Sequence, residues 1–224
     1  HLSIRRQRQM CIRDRRVRLG EASPQEIQAF LQRYAGTYQE DRLRNDWLLL
    51  LGQRRDWGQF ADQHPSYRMS DDREVRCYAL LIDQIKGTAP ATVAEDVRSN
   101  WYAIRDADDG CTHAARELYG YKKLSALDVW RKARLGVEAN RPRVVRSAVE
   151  IVSPESLPQL KDVLDAPSKY LLSRATAAGK ARQELVLLAL LKLATSDPDG
   201  AAYQLENKWG VHLSAEERNW AWGV

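Results

Sequence analysis

Residues 126–152 read ALDVWRKARLGVEANRPRVVRSAVEIV, and this stretch decides the fold. Leu127, Trp130, Ala133 and Val137 recur at helical spacing, so 126–139 is expected to be a helix with one apolar face. Asn140-Arg141-Pro142 follows. Asn tolerates the left-handed conformation that ends a helix, and Pro, with its fixed φ, starts the next one. Val144, Val145, Ala148, Val149 and Val152 then mark a second apolar stripe. So short a connection makes the two helices an antiparallel αα-hairpin.

The same pattern runs through the rest of the chain. Ser23-Pro24 caps a helix that carries Ile27, Phe30, Leu31 and Tyr34. Residues 39–54 carry Leu43, Trp47, Leu50 and Leu51, and a short helix starts at Asp56-Trp57 and stops at His64-Pro65. The next, about 71–86, opens at Ser70, presents Val75, Tyr78, Ala79, Ile82 and Ile85, and ends at Gly87. Residues 90–104 hold Val93, Val97, Trp101 and Ile104; 111–121 hold Ala114, Ala115, Leu118 and Tyr119. Beyond the hairpin, helices are expected at about 155–164, 168–178, 180–196, 199–208 and 214–223, with Asp197-Pro198 and Gly210 among the breaks.

No segment longer than four residues alternates as a strand should. The longest apolar run, Leu185–Leu191, falls far short of the roughly 18 residues of a membrane span and reads as a buried helix. A single bundle core cannot shield about a dozen short helices, whereas a stacked array buries each pair against its neighbours. The expected fold is therefore all-α: an irregular right-handed α-superhelix, a solenoid of about a dozen short helices. It should occupy 17–224 as a single domain, truncated at its C-terminus.

The formal net charge of +5 suggests an anionic partner until it is located. Residues 1–16, HLSIRRQRQMCIRDRR, hold six arginines against Asp14, so they account for all of it and the body is neutral. The segment has no helical stripe and no aromatic residue to stack on bases. It also lacks the apolar region and small-residue cleavage site of a signal peptide. RRQRQMCIRDR resembles translated sequencing-adapter read-through, which implies that 1–16 is disordered and not native sequence. The alternatives are a disordered basic arm and a specific nucleic-acid element. The missing initiator Met and an ending in Asn219–Val224 are read as a fragment cut at both ends.

Reactive chemistry is sparse. His1, His64, His113 and His212 lie on separate elements without metal-ligand spacing, and the three cysteines make no CxxC pair. The glycines are read as helix ends and not as a phosphate loop. Neither a cofactor nor a metal site is expected. Glu40-Asp41, Asp71-Asp72, Asp106, Asp108-Asp109 and Glu216-Glu217 fall in or near first turns, where they complement the helix dipole. The seven tryptophans sit on helical stripes and are read as core, although a sugar-binding groove would use the same residue type.

Three stretches, taken together, resemble the soluble lytic murein transglycosylases, bacterial periplasmic enzymes that act on peptidoglycan. The first is Ile27–Tyr34 (IQAFLQRY) with Trp47–Phe60 (WLLLLGQRRDWGQF). The second is Cys77-Tyr78 with Gly87, running on to Trp101 and Cys111. The third is Asp128–Asn140 (DVWRKARLGVEAN) with the Val-rich helix after it. The likeness covers roughly 25–224 and rests on order and spacing.

The resemblance implies a ring- or horseshoe-shaped helical domain beside a lysozyme-like catalytic domain that cleaves the MurNAc–GlcNAc bond without water. One Glu, acting as acid and then base, lies in a Glu-Ser motif followed by Gly-Leu-Met-Gln. Glu155-Ser156 is the one Glu-Ser pair here; it is followed by Leu-Pro-Gln-Leu and is accounted for as a helix start. No residue is assigned a catalytic role, and the chain alone should be inactive. The implied partners are peptidoglycan glycan strands and the chain's own C-terminal catalytic domain, with no nucleic acid and no membrane span. The implied address is periplasmic. In that oxidising compartment Cys77 and Cys111 are expected to form a disulfide, the alternative being two buried free thiols. A non-enzymatic helical-repeat scaffold that binds a protein partner is the other function class. The sequence that follows Val224 in the gene would separate the two.

Overall fold

The computed structural model describes residues 16–17 and 20–224. The basic segment 1–16 therefore lies outside the described residues except for Arg16, which reaches Glu26 at 3.3 Å. Among the described residues there are thirteen α-helices and no strand, the all-α class that the periodicity implies. They gather into two compact units: residues up to Trp101 with Asp108–Ala114, and Tyr102–Ala107 with Ala115–Val224.

The first unit contains α1 (Pro24–Arg33), α2 (Tyr38–Gln53), α3 (Trp57–Gln63) and α4 (Arg73–Lys86). It also takes in most of α5 (Val93–Ala103) and the start of α6 (Gly110–Gly120). Local chemistry sets their starts. Ser23 and Glu26 form a capping box on α1, Thr37 caps α2 and Asp56 caps α3. The fourth helix starts later than Ser70 suggests. Asp72 is its cap, accepting from the Glu74 and Val75 N–H groups at 2.9 and 3.0 Å, while Ser70 takes a left-handed φ of 49° in the preceding turn. Ile27, Phe30, Leu43, Trp47, Phe60 and Tyr78 make the core, and Val17 is buried with them. Ile85, expected in the stripe, lies in the last turn of α4 and is 52% exposed.

The second unit contains α7 (Ala126–Glu138), α8 (Pro142–Val152), α9 (Leu157–Asp165), α10 (Pro167–Ser173), α11 (Lys180–Ala194), α12 (Pro198–Gln204) and α13 (Ala215–Trp222). The α7–α8 hairpin has Asn140 at a φ of 54° and Pro142 at the first helical position, as its sequence requires. Val129, Trp130, Ala133 and Val137 are its buried apolar side chains on α7, while Leu127 is only partly covered. Helix α11 is apolar on all sides because α7, α9, α10, α12 and α13 all pack on it. The helix expected over 168–178 stops at Ser173. The Ala175 N–H turns back to the Tyr170 carbonyl at 2.8 Å, and Gly179, at a φ of 91°, sets the start of α11.

Two glycines in the last turns of their helices, Gly52 and Gly136, do more than mark an end. A Cβ on Gly52 would sit 2.4 Å from the Tyr78 ring, so α2 and α4 meet across bare backbone. At Gly136 a Cβ would sit 2.9 Å from Val145 Cγ2 and 3.0 Å from the Val145 backbone nitrogen. Helix propensity favours replacing Gly by about 1 kcal/mol, but a backbone neighbour cannot move aside. Gly136→Leu should therefore lower the unfolding free energy in urea by about 1–3 kcal/mol or more. Gly120→Ala, where a Cβ meets nothing within 4 Å, should be neutral or slightly stabilising.

Candidate functional site

Cys77 lies in the first turns of α4 and Cys111 is the second residue of α6. The two are bonded, with their Cα atoms 4.9 Å apart, within the range a disulfide spans, and both are fully buried. A polar seam runs alongside. Glu74, one turn before Cys77, accepts from the N–H groups of Asp109 and Gly110 at 3.0 and 2.9 Å, and so satisfies the open N-terminus of α6. Asp108 accepts from the Cys111 N–H at 2.6 Å. A Cβ on Gly110 would meet Glu74 Cγ at 2.5 Å and the Glu74 carbonyl at 2.7 Å, so the seam closes only on glycine.

Asp109 is the hub of this seam. Its carboxylate accepts from both terminal nitrogens of Arg55, Nη2 at 2.9 Å, and from the Tyr78 hydroxyl. Arg55 holds a left-handed φ of 59°, a conformation that costs a non-glycine residue about 1–2 kcal/mol. The bidentate pair and a further bond to the Gly52 carbonyl at 2.9 Å offset that cost. Burial pushes the Asp109 carboxyl up, but Arg55 and Tyr78 outweigh it and hold the group below the ordinary carboxylate range.

A glycoside-cleaving acid needs a raised pKa and access to substrate. Burial raises Glu74, but the group is engaged as a helix cap. The exposed Glu155 goes the other way: the Ser153 hydroxyl, donating at 2.6 Å, holds it below its ordinary value. Ser153 and Ser156 bond to each other at 2.8 Å, and Pro154–Ser156 is a single 3-10 turn leading into α9, the helix start that the sequence implies. Asp41 does more than complement a dipole. It is buried and accepts from the Arg68 and Met69 N–H groups, each at 2.8 Å, so it anchors the loop after α3. Among the described residues no three His, Cys, Asp or Glu side chains converge as a metal site.

The second unit contains a charge network that the sequence reading missed. Arg134 on α7 makes a two-pronged bond to Glu184 on α11, Nε to Oε2 at 3.0 Å and Nη2 to Oε1 at 2.7 Å, and neither side chain is exposed to solvent. Lys180 approaches Glu184 at 3.2 Å and bonds to Glu217; Glu216 accepts from Arg131 at 3.1 Å and from Arg134 at 2.7 Å. The Trp220 ring lies 4.9 Å from the Arg134 guanidinium. The signal was present in the sequence: Glu184 is the one acid at the head of an otherwise apolar stretch, Leu185–Leu191. Glu216 and Glu217 do lie in a first turn, but their carboxylates also serve α7 and α11.

No family model and no curated protein matches the chain. Solved structures do, two of them lytic transglycosylases. One is an inactive mutant of the lytic transglycosylase Slt from Pseudomonas aeruginosa, 22% identical, with a TM-score of 0.57, covering 91% of this chain and 33% of that one. The other is the 70-kDa soluble lytic transglycosylase in complex with bulgecin A, 14% identical, with a TM-score of 0.56, covering 95% of this chain and 35% of that one. The fold is lytic-transglycosylase-like. The likeness supports the α-superhelical class, and the chain spans about a third of the length of each of these proteins.

Two predictions concern what holds this lytic-transglycosylase-like fold together. Peptide mapping without reduction should recover Cys77 and Cys111 in one linked species. Cys77→Ala with Cys111→Ala should cost about 3–4 kcal/mol, the chain-entropy value for a loop of this length; separate, unlinked peptides would remove the bond from this account. Arg134→Met alone leaves the buried Glu184 only its 3.2 Å contact with Lys180 and should cost up to about 3–5 kcal/mol in urea unfolding. Adding Glu184→Leu should recover at least half of the loss, because replacing both partners leaves no buried charge.

Proposed function

We propose that this chain is the helical, non-catalytic part of a peptidoglycan lytic transglycosylase, and that in the periplasm it orients its own C-terminal catalytic domain and offers a surface to glycan strands. The observation that carries the reading is the structural likeness to two solved lytic transglycosylases over 91% and 95% of this chain. The order of Ile27–Tyr34, Trp47–Phe60, Cys77 to Cys111 and Asp128–Asn140 supports it independently. In this reading 17–224 acts as one domain.

The chemistry of the site agrees. Cleavage of a glycosidic bond needs a carboxyl group that donates and then accepts a proton within reach of the sugar. Glu74, Asp109, Glu184 and Glu217 are each engaged in caps or ion pairs, and Glu155 is a turn residue with a lowered pKa. These carboxylates hold backbone and helices in place. The Cys77–Cys111 bond supports an oxidising compartment. Among the described residues no helix is long and apolar enough to cross a membrane.

The test uses purified sacculi and the chain as it stands. The protein should sediment with the sacculi, and mass spectrometry should find no released anhydro-muropeptides. Release of anhydro-muropeptides would contradict the non-catalytic assignment. Failure to sediment would contradict the binding role and favour a scaffold for a protein partner.

A further inference from the structure

Helix α13 is attached in an unusual way. Of its eight residues only Glu217 is buried, and no apolar side chain of the helix is. A helix of this length is not stable by itself, so its attachment has to come from elsewhere. Trp220 and Ala221 are partly covered, and the directed contacts that hold the helix are made by charge. Glu216 takes Arg131 and Arg134, Glu217 takes Lys180 and closes the Ser214 capping box, and Trp220 lies on the Arg134 guanidinium and donates its ring N–H to Glu138 at 2.5 Å. Just before the helix, Trp209 and Leu213 are both buried, which fixes the chain up to Ser214 by apolar packing.

What would remain if α13 left is also on view. Arg134 keeps both bonds to Glu184, and Lys180 keeps Glu184 at 3.2 Å. No buried charge would be stranded, so departure of the helix does not require the rest of the unit to open. Each pair that holds α13 has at least one exposed partner, Glu216 and Arg131 at 33% and 34% and Lys180 at 49%, whereas Arg134 and Glu184 beneath are both fully buried. Added salt shortens the range of charge attraction from about 8 Å at physiological ionic strength to about 3 Å at 1 M, and it screens exposed pairs much more than buried ones.

We propose that α13 is an ionic strap, a helix docked on α7 and α11 by charge, which lifts from Ser214 onward as ionic strength rises while the rest of its unit stays folded. Ala221, Trp222 and Val224 form one wall of a groove whose other walls include Leu190, Ala194 and Leu205. Lifting the strap removes this wall of the groove. The inference stands whether or not the peptidoglycan reading does.

Hydrogen exchange of the full chain, read by mass spectrometry at one pH in about 0.05 M and 1 M sodium chloride, tests it. The amides of Arg218 to Gly223 should exchange at least about fivefold faster at high salt, and those of α11 should not change. Glu216→Gln, which removes the charge and keeps the shape, should exchange α13 quickly already at low salt and lose most of the salt response. A smaller salt effect on α13, an equal acceleration across α11, or a full salt response retained in the Glu216→Gln variant would overturn the proposal.

Discussion

Most of the helices in this chain are too short to be stable in isolation, and everything else in the structure follows from that constraint. Each must be closed at its ends and pressed against a neighbour. End closure is local and cheap: Ser23, Thr37, Asp56, Asp72, Ser125 and Ser214 accept the open N–H groups of the first turns. The pressing is done in three chemically different ways. Bare glycine backbone lets α2 meet α4 and α7 meet α8; a disulfide with the Asp109 hub ties α4 to the start of α6; the Arg134–Glu184 pair ties α7 to α11.

These fastenings differ in what they contribute. Apolar contact along α11 is central to the burial in the second unit, with Leu185, Val186, Leu187 and Leu188 all excluded from solvent. The ion pair beneath α13 adds little net stability, since two apolar residues would do as well, but its geometry is far less forgiving. A guanidinium that needs both oxygens of Glu184 fixes the rotation of α7 and α11 about their own axes. The Asp109 hub does the same in the first unit, because Arg55 can hold its left-handed backbone only while the carboxylate is in reach.

The elements were legible in the sequence because their signals are local. Pro24, Pro142 and Pro198 stand at helix starts and Gly87 at an end, and the apolar spacing between them is regular. Tertiary facts were not legible. Asp72 displaced Ser70 as a cap because a carboxylate accepts from two N–H groups, which spacing does not reveal. Gly52 and Gly136 stand in last turns as their residue type suggests, but the close approach of Tyr78 and Val145 is not visible in the sequence. Glu216 and Glu217 look like ordinary first-turn acids until Arg131, Arg134 and Lys180 arrive from helices roughly 40 to 80 residues away in sequence.

Buried Asp41, Asp128, Glu184 and Glu217 each cap a helix, anchor a loop or pair with a cation, which suits the proposed supporting role. The proposed role, together with the lytic-transglycosylase-like fold, leads to a prediction about the gene. The most direct measurement is to sequence the reading frame beyond Val224. The account predicts an uninterrupted frame that reaches a Glu-Ser pair followed by Gly-Leu-Met-Gln. A stop codon shortly after Val224 would contradict it and leave a helical scaffold with no enzyme attached.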